Sequence, residues 1–246
     1  MTDNQPTFNY SYFIDHAMCI GGRILDYGCG RGQMLALGLE RGLDIWGADT
    51  FSGYWAGWVK ELKPPVRARV RTIENGLTDF PESHFDLVMA NQVLEHVTNP
   101  EAVIADIHRM IKPGGLFIAA FPVIETWYEG HVGLYFAHRL KPGSRLRRTY
   151  FDLCHLLGQG LYRGTLTRTN WIKQSEDTLD TACFYYSQRR MFTALTKAFG
   201  APIEDIAVHY MRARLRNRHN LPAFADSMLR FVYHKRAGEI IRVRKS

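Results

Sequence analysis

The chain has 246 residues, of which 46% are hydrophobic and 22% are charged, so it can bury a sizeable core and is not a disordered chain. Its longest apolar run, 116–124, is too short to cross a bilayer, and its first residues lack the basic-then-apolar pattern of a signal peptide. The four cysteines are scattered without metal-binding spacing, which predicts reduced thiols in a cytoplasmic protein.

Positive charge is concentrated in two segments of the chain. Residues 137–173 contain eight Lys and Arg against one acid, and residues 201–246 contain ten against four. The net charge of the whole chain is +7, so the remaining residues are acidic on balance. This asymmetry predicts an anionic partner: a phosphorylated small molecule, a lipid headgroup or a nucleic acid. The alternative is a solvated basic face.

The first two-thirds of the chain alternates short apolar runs with helical patterns, which predicts an α/β protein with a parallel sheet covered by helices. The predicted strands are 23–27, 43–49, 66–74, 85–91 and 116–122. The predicted helices are 32–42 and 99–111. Asn99 and Pro100 begin the second of these, and the KPGG sequence at 112–115 ends it. The aromatic segment 8–18 is predicted either as a helix that closes a ligand pocket or as a core stripe.

The alternation stops after the fifth predicted strand. Residues 123–186 are rich in aromatic residues, Arg and Gly without a strict period, which predicts an inserted cap. Ser187 has the side chain of a helix N-cap, and Gly200 can close that helix. Segments 203–210 and 228–236 are predicted as the last two strands. The predicted division is a core at 1–122, a cap at 123–186 in the same domain, and a completing segment at 187–246.

The turn after the first predicted strand carries the motif Asp-x-Gly-x-Gly-x-Gly, which runs from Asp26 to Gly32. Such a turn lies at the carboxyl edge of the sheet, where open α/β folds bind ligands. Glycine allows close backbone approach to a ligand and positive φ angles. A dinucleotide fingerprint requires glycine one position later, at Gln33, so the spacing disfavours a nicotinamide dehydrogenase.

The motif resembles the nucleotide-binding loop of class I S-adenosylmethionine-dependent methyltransferases. Three further features match that family in order: Asp49 at the end of the second strand, the segment 80–97 and the segment 111–122. The likeness covers about residues 20–122 and is closest to the small-molecule members related to methyltransferases of ubiquinone biosynthesis. It implies a Rossmann-like, doubly wound, mostly parallel seven-stranded sheet with the cap inserted after the fifth strand. It also implies S-adenosyl-L-methionine as the methyl donor.

The resemblance assigns the residues that bind this donor. Asp49 is expected to accept hydrogen bonds from the ribose hydroxyls, with a helix cap as its alternative role. Asp26 is expected to orient the glycine turn or the amino group of the donor, and Glu74 with Asn75 to meet the adenine. The full predicted set is Asp26, Gly28, Cys29, Gly30, Gly32, Asp49, Thr50, Glu74, Asn75, Asn91 and Gln92.

Three residues are predicted to act on the methyl acceptor: Glu95, His96 and His131. A hydroxyl acceptor needs a base with a pKa near the working pH, and histidine meets that need. A structural role is the alternative for each of these residues. Methyltransferases of ubiquinone biosynthesis have a similar E-x-x-E-H-V segment that supplies ligands to a divalent metal. Because the first of those positions is Gln92 here, no metal is predicted.

The cap sequence suggests the class of acceptor. Its arginines, which suit phosphate or carboxylate recognition, are Arg145, Arg147, Arg148, Arg163 and Arg168. Segment 145–163 also contains bulky apolar residues, which predicts contact with the anionic inner face of a membrane. The sequence therefore predicts methyl transfer to an oxygen of an anionic acceptor that is small, or linked to a lipid or glycan.

Two other functions stay open at this stage. An RNA methyltransferase would grip its substrate through the basic segment 212–220, but the chain has no second RNA-binding module, so nucleic acid is disfavoured as a partner. A donor-binding regulatory protein without catalysis would keep the same fold and the same donor residues.

Overall fold

The structure, a computed structural model, describes residues 8–52, 56–215 and 221–246. Its described strands, in chain order, are β1 (Arg23–Tyr27), β2 (Asp44–Asp49), β3 (Val70–Thr72), β4 (Phe85–Asn91), β5 (Ile111–Phe121), β6 (Tyr128–Glu129), β7 (Leu134–Tyr135), β8 (Glu204–Asp205) and β9 (Glu239–Arg244). Seven of them form one sheet in the order β3-β2-β1-β4-β5-β9-β8. Strands β1 to β5 are parallel, whereas β9 runs antiparallel to both of its neighbours. The predicted mostly parallel, Rossmann-like sheet is confirmed.

Helices cover both faces of this sheet. The helices α1 (Phe8–Ile20), α2 (Gln33–Glu40) and α9 (Ala207–Arg214) share an apolar cluster on one face, and α5 (Pro100–Met110) and α8 (Gln188–Phe199) share a cluster on the other. Side chains of β4 alternate between the two clusters: Val88 and Ala90 join one, and Leu87 and Met89 the other. Burial on both faces explains the continuous apolar runs of the central strands.

The predicted starts of two helices are confirmed in detail. The side chain of Asn99 accepts a hydrogen bond from the backbone N–H of Ala102 at the start of α5. Ser187 accepts one from the N–H of Arg190 at the start of α8, and Gly200 ends that helix with φ of 62°. Local side-chain chemistry therefore fixes these boundaries.

The two final predicted strands are wrong. Segment 203–210 contains only the two-residue strand β8 before α9 begins, and segment 228–236 lies inside the helix α10 (Ala225–Ala237). The buried residues of α10 are Ala225, Leu229 and Tyr233, which recur every four residues as a helix requires. Gly238, with φ of 96°, follows this helix, and the missed strand β9 comes directly after it.

Two other predicted strands change their bounds. The predicted third strand, 66–74, begins instead with the short helix α4 (Pro64–Arg67), and only Val70–Thr72 pairs in the sheet. Proline at the first helical position of α4 favours this start. The fifth strand begins at Ile111, earlier than predicted, with an irregularity in its pairing with β4 between Phe85 and Leu87. A second short helix, α3 (Trp58–Glu61), precedes α4.

The segment between β5 and α8 has more regular structure than its composition suggests. It contains the hairpin of β6 and β7 and the helices α6 (Arg145–Leu156) and α7 (Arg168–Asp177). Ser144 and Thr167 cap these helices by accepting N–H bonds in the first turn. Phe151 and Trp171 are the largest members of an apolar cluster that is separate from both clusters of the sheet. The cap thus has a small core of its own.

Candidate active site

Two adjacent cavities lie at the carboxyl edge of the sheet, where β1, β2 and β4 end. The first has a volume of about 440 Å³, and its lining includes Gly28, Asp49, Thr50, Trp58, Asn75, Gln92 and His96. The second has a volume of about 570 Å³, and its lining includes Tyr10, Asp26, Gly28, Cys29, Gly30, Trp58, Asn91 and Gln92. Gly28, Trp58 and Gln92 line both. A ligand with two distinct halves therefore has a site on this edge.

The glycine turn after β1 folds back over β2. The N–H groups of Gly28 and Cys29 both donate to the carbonyl of Ala48, at 2.7 and 3.0 Å. Gly28 has φ of 76°, and a Cβ at this position would lie 2.3 Å from the side chain of Val93. Only glycine satisfies both constraints. The turn can therefore lie against a ligand in either cavity.

Two other residues of the predicted motif have a different place. Gly32 is absent from the lining of both cavities, and a Cβ there would lie 2.5 Å from Val66, so this glycine allows α2 to pack against α4. Cys29 lines the second cavity but is buried, and its sulfur lies close to Gly47. Burial raises the pKa of the Cys29 thiol well above its usual range, so it stays protonated.

Asp49 connects the ends of two strands. Its Oδ2 accepts a hydrogen bond from the N–H of Gly30 at 2.8 Å, and its Oδ1 accepts one from the N–H of Phe51 at 3.2 Å. It lines the first cavity together with Thr50. A carboxylate has more acceptor sites than these two bonds use, so Asp49 can also receive ligand hydroxyls.

Two residues that line the second cavity, Asp26 and Asn91, have buried side-chain oxygens. Burial raises the pKa of Asp26 to about 8, and the nearby Asp49 carboxylate adds to the shift. The Oδ1 atom of Asn91 is buried and has no hydrogen-bond partner among the described residues. A buried acceptor without a donor costs about 1–3 kcal/mol, so Oδ1 of Asn91 favours a ligand that brings an ammonium or amino group. The amino-acid half of S-adenosyl-L-methionine has such a group.

The first cavity is bordered by backbone in an uncommon conformation. Asn75 and Gln92 both have positive φ, 54° and 58°, although neither is glycine. The N–H of Gln92 donates to the carbonyl of Ala120 at 2.7 Å, which holds this conformation. Such residues concentrate at functional sites. The predicted partner of Asn75, Glu74, is exposed, pairs its backbone with Leu77 and is absent from the lining of this cavity.

The structure brings together the three residues predicted to act on the acceptor. His96 lines the first cavity, and its Nε2 lies 3.3 Å from Nε2 of His131 and 3.9 Å from Oε1 of Glu95. Glu129 accepts a 2.7 Å hydrogen bond from Nδ1 of His131. Cys183 lies with both histidines in a group whose potential ligand atoms are all within 4.8 Å of one another. No sequence pattern links Glu129 or Cys183 to this site.

Burial controls the charges of this cluster. It lowers the pKa of His96 to about 4 and raises the pKa of Glu95 to about 8. Burial also lowers the pKa of His131, but hydrogen bonds to Cys183 and Glu129 outweigh it and raise the pKa to about 11. Near neutral pH the ring of His96 is therefore neutral and that of His131 is positively charged.

Helix α1 has both of the roles considered for it. Phe8 and Tyr10 line the second cavity, and the hydroxyl of Tyr10 donates to Gln33. Tyr12 and Phe13 are buried in the apolar cluster that α1 shares with α2 and α9 on one face of the sheet. One side of α1 thus borders the cavity, and the other contributes to the core.

Ion pairs within the cap neutralise part of its positive charge. Arg147 is buried and pairs with Asp180 at 2.6 Å. Arg148 pairs with Glu176 at 3.5 Å, and Arg168 pairs with Asp152 at 2.7 Å. Two of these acids, Glu176 and Asp180, lie just beyond the basic segment 137–173. The net positive charge of the folded cap is therefore smaller than the count over that segment. In the described parts of the chain, no helix is long and apolar enough to cross a bilayer.

Comparison with known proteins gives a consistent result. The family described as "Methyltransferase domain" matches residues 25–119. A ubiquinone biosynthesis O-methyltransferase from Pseudomonas syringae pv. tomato is 36% identical over 108 residues, which are 43% of this chain and 46% of the relative. The chain thus spans about half the length of the curated relatives that it matches.

Solved structures share the fold over a longer range. A S-adenosylmethionine-dependent methyltransferase from Mesorhizobium loti has a TM-score of 0.54, 18% identity and 92% coverage of both chains. A geranyl diphosphate methyltransferase in complex with geranyl diphosphate and sinefungin has a TM-score of 0.51 and 16% identity, with coverage of 96% of this chain and 76% of that one. At these identities the likeness shows the fold alone. Together with the matched domain, it confirms the resemblance predicted from the sequence.

Proposed function

We propose that the protein is a class I methyltransferase that transfers a methyl group from S-adenosyl-L-methionine to an oxygen of a small-molecule acceptor. The match of residues 25–119 to a methyltransferase domain supports this proposal. The observation that carries the proposal is the pair of adjacent cavities, which share the glycine turn. One matches the nucleoside half of this donor in its hydrogen-bonding groups, and the other matches the amino-acid half.

The donor's sulfonium supplies an activated methyl group, and the chain supplies the contacts that hold the donor in place. In the first cavity, Asp49 binds the ribose and Asn75 contacts the adenine. In the second cavity, Asp26 and Oδ1 of Asn91 bind the amino group of the donor. Gly28 and Gln92 border both cavities, so their backbone lies where the two halves of the donor meet.

The acceptor end lies at His96, which lines the first cavity. Positioning of two reactants can supply effective molarities of about 10⁵–10⁸ M, so alignment is the main task of the site. Transfer to oxygen also requires that the hydroxyl loses its proton. The titratable side chains of Glu95, His96 and His131 lie together at this end, and this cluster can accept the proton that the acceptor hydroxyl loses. The similar ubiquinone biosynthesis enzymes are O-methyltransferases, which supports oxygen as the target atom.

A lipid-linked acceptor reached from the cytoplasmic face of a membrane fits the surface of α6. Exposed leucines form a stripe within about 100° around this helix, at 3.6 residues per turn. They are Leu146, Leu153 and Leu156, together with Leu157, which directly follows the helix. Arg145 borders this stripe, and basic residues beside an apolar stripe favour anionic lipid. The stripe supports a lipid-linked acceptor over a glycan or a freely soluble phosphate.

Calorimetry with purified protein tests the first half of this proposal. We expect S-adenosyl-L-methionine and its demethylated product to bind with one site per chain. Methyl-labelled donor is then incubated with the protein and either a lipid extract or an aqueous metabolite extract. We expect label in a lipid product. Label in an aqueous product would move the acceptor to another class, and label in RNA would favour the RNA methyltransferase.

Two outcomes would contradict the methyltransferase activity itself and not only the class of acceptor. Donor binding without any labelled product would favour the non-catalytic alternative. An absence of donor binding would overturn the proposed function as a whole.

A further inference from the structure

The two imidazoles at the acceptor end present the same nitrogen to each other. Nδ1 of His96 donates its proton to the carbonyl of Ala182, and Nδ1 of His131 donates its proton to the carboxylate of Glu129. In the neutral rings the lone pairs are therefore on the Nε2 atoms, which face each other across 3.3 Å. Two lone pairs at this distance repel unless a cation lies between them. The cation is a proton or a metal ion.

A third soft ligand lies at the same gap. Sγ of Cys183 is within 4.8 Å of one imidazole nitrogen of His96 and of one imidazole nitrogen of His131. The cysteine is buried, and the histidines are partly buried. The three ligands come from separate parts of the chain: after β4, between β6 and β7, and before α8. Folding alone brings them together.

A buried carboxyl group next to this group of ligands, that of Glu95, is an independent sign of a missing ligand. Glu95 is 1% exposed, and neither of its oxygens has a hydrogen-bond partner among the described residues. Its Oε1 lies 3.9 Å from Nε2 of His96. An unpartnered carboxyl group in a protein interior is costly, and a bound cation removes that cost.

We propose that His96, His131 and Cys183 form a zinc site, with Glu95 beside its fourth position. In tetrahedral zinc sites the Zn–N bond is about 2.0–2.1 Å, which sets the separation of two ligand nitrogens at about 3.3 Å. The separation of the two Nε2 atoms has this value. Imidazole and thiolate ligands both suit zinc, whereas Mg²⁺ and Ca²⁺ require oxygen ligands.

The surroundings of the histidines are those that metal-binding histidines require. Such residues almost always donate their second ring N–H to a carboxylate or a backbone carbonyl, which fixes the tautomer. Here Glu129 has the first role and the carbonyl of Ala182 has the second. Glu129 is itself held by N–H donation from Val132 at 2.7 Å and by the hydroxyl of Tyr185. Both ring orientations are therefore fixed before an ion binds.

This site differs from the metal-binding segment that the sequence resembles. That segment takes its ligands from one five-residue stretch after the fourth strand, and Gln92 replaces its first carboxylate. The proposed site instead takes two of its three ligands from His131 and Cys183, which lie 35 and 87 residues beyond His96. A zinc ion here would connect the sheet to the cap, next to the cavity that His96 lines. Its open fourth position could bind the acceptor oxygen as a Lewis acid, a role that rests on the proposed function.

Metal binding is measured directly, without turnover. Protein stripped of metal is titrated with zinc against a chromophoric chelator, and separately with Co²⁺, whose visible spectrum reports coordination. We expect one ion per chain, four-coordinate Co²⁺ bands and a thiolate-to-cobalt charge-transfer band. The variant Cys183→Ser should lose the charge-transfer band and bind zinc more than about 100-fold more weakly, beyond the 10- to 100-fold effect typical of groups that only orient a ligand.

Matched variants separate ligation from folding. Cys154→Ser changes a buried cysteine of the cap cluster and should leave zinc affinity unchanged. His131→Ala should weaken zinc binding as Cys183→Ser does, while circular dichroism shows that the fold is retained. A stoichiometry far below one ion per chain would overturn the proposal. So would equal zinc affinity in Cys183→Ser and Cys154→Ser.

Failure of this site and failure of the proposed function are distinguishable. Calorimetry of the stripped protein with S-adenosyl-L-methionine reports the donor site alone. Donor binding without zinc binding would remove the zinc site and leave the methyltransferase proposal in place. Zinc binding without donor binding would do the reverse.

Discussion

The backbone N–H of Gly30 donates a 2.8 Å hydrogen bond to Oδ2 of Asp49. This bond joins the glycine turn after β1 to the end of β2, so the backbone and the carboxylate of the candidate donor site form one unit. The turn is also held by two N–H bonds to the carbonyl of Ala48. The site therefore exists before a ligand binds, and less ordering is required on binding.

Substitution Asp49→Ala should weaken donor binding by roughly 10- to 100-fold, because hydrogen bonds to a charged group contribute about 1.5–3 kcal/mol. Loss of the bond to Gly30 adds to the effect by loosening the turn. Calorimetry with S-adenosyl-L-methionine measures the change. Asp44→Ala is the control: it removes a carboxylate from the opposite end of the same strand, where it pairs with Arg23 and Arg69. Equal losses in both variants would contradict the assignment of Asp49.

Donor affinity should rise between pH 6 and pH 8. Burial, with the help of Asp49, raises the pKa of Asp26 to about 8, so this carboxyl group is protonated at the lower pH. The ammonium of the donor prefers the ionised form, and affinity should fall by up to about tenfold for each pH unit below 8. Titrations at pH 6, 7 and 8 measure the slope. Asp26→Asn, which cannot ionise, should flatten the slope of donor affinity against pH. An unchanged slope in this variant would show that a group other than Asp26 causes the pH dependence.

Substitution Gly28→Ala should destabilise the fold by about 2–4 kcal/mol, since it adds the cost of a left-handed conformation and an overlap with Val93. Urea unfolding measures this change. Val93→Ala in the same chain should restore the part caused by the overlap but not the part caused by φ. Gly57→Ala, with φ of −72° and open space at its Cβ, should have little effect. Full rescue by Val93→Ala would show that backbone conformation contributes nothing.

The apolar stripe of α6 should contribute to vesicle binding. The double variant Leu153→Glu and Leu156→Glu should reduce co-sedimentation with anionic vesicles several-fold, because it places charge in the stripe and opposes the lipid headgroups. Raised salt should weaken the binding of the unchanged protein. Leu77→Glu alters an exposed leucine outside the cap and is the control. If the double variant and the control sediment alike, α6 is not the contact surface.

The sequence predicted those parts of the site that depend on short stretches of chain. The glycine turn, Asp49 and the residues that follow β4 lie at strand ends, and parallel strands bring their carboxyl ends to one edge. Gly32 belongs to the same motif but packs against Val66, because spacing alone does not distinguish a glycine near a ligand from one near a helix.

Residues whose role depends on distant contacts could not be predicted. Glu129 contacts Tyr185, which is 56 positions away, and Cys183 joins histidines from two other segments. Helix α10 was predicted as a strand since its aromatic and β-branched residues favour strands. The structure places Leu229 and Tyr233 on one buried side, and this tertiary packing overrides the local preference.

The position of β9 has a consequence for synthesis. It lies between β5 and β8, yet it follows both of them in the chain. As the nascent chain emerges, β1 to β5 can pair first. One edge of β5 then stays unpaired until more than a hundred further residues, up to β9, have been synthesised. An unpaired apolar edge invites pairing with other chains. Until β9 leaves the ribosome, this edge of the newly made protein is open to pairing with other chains.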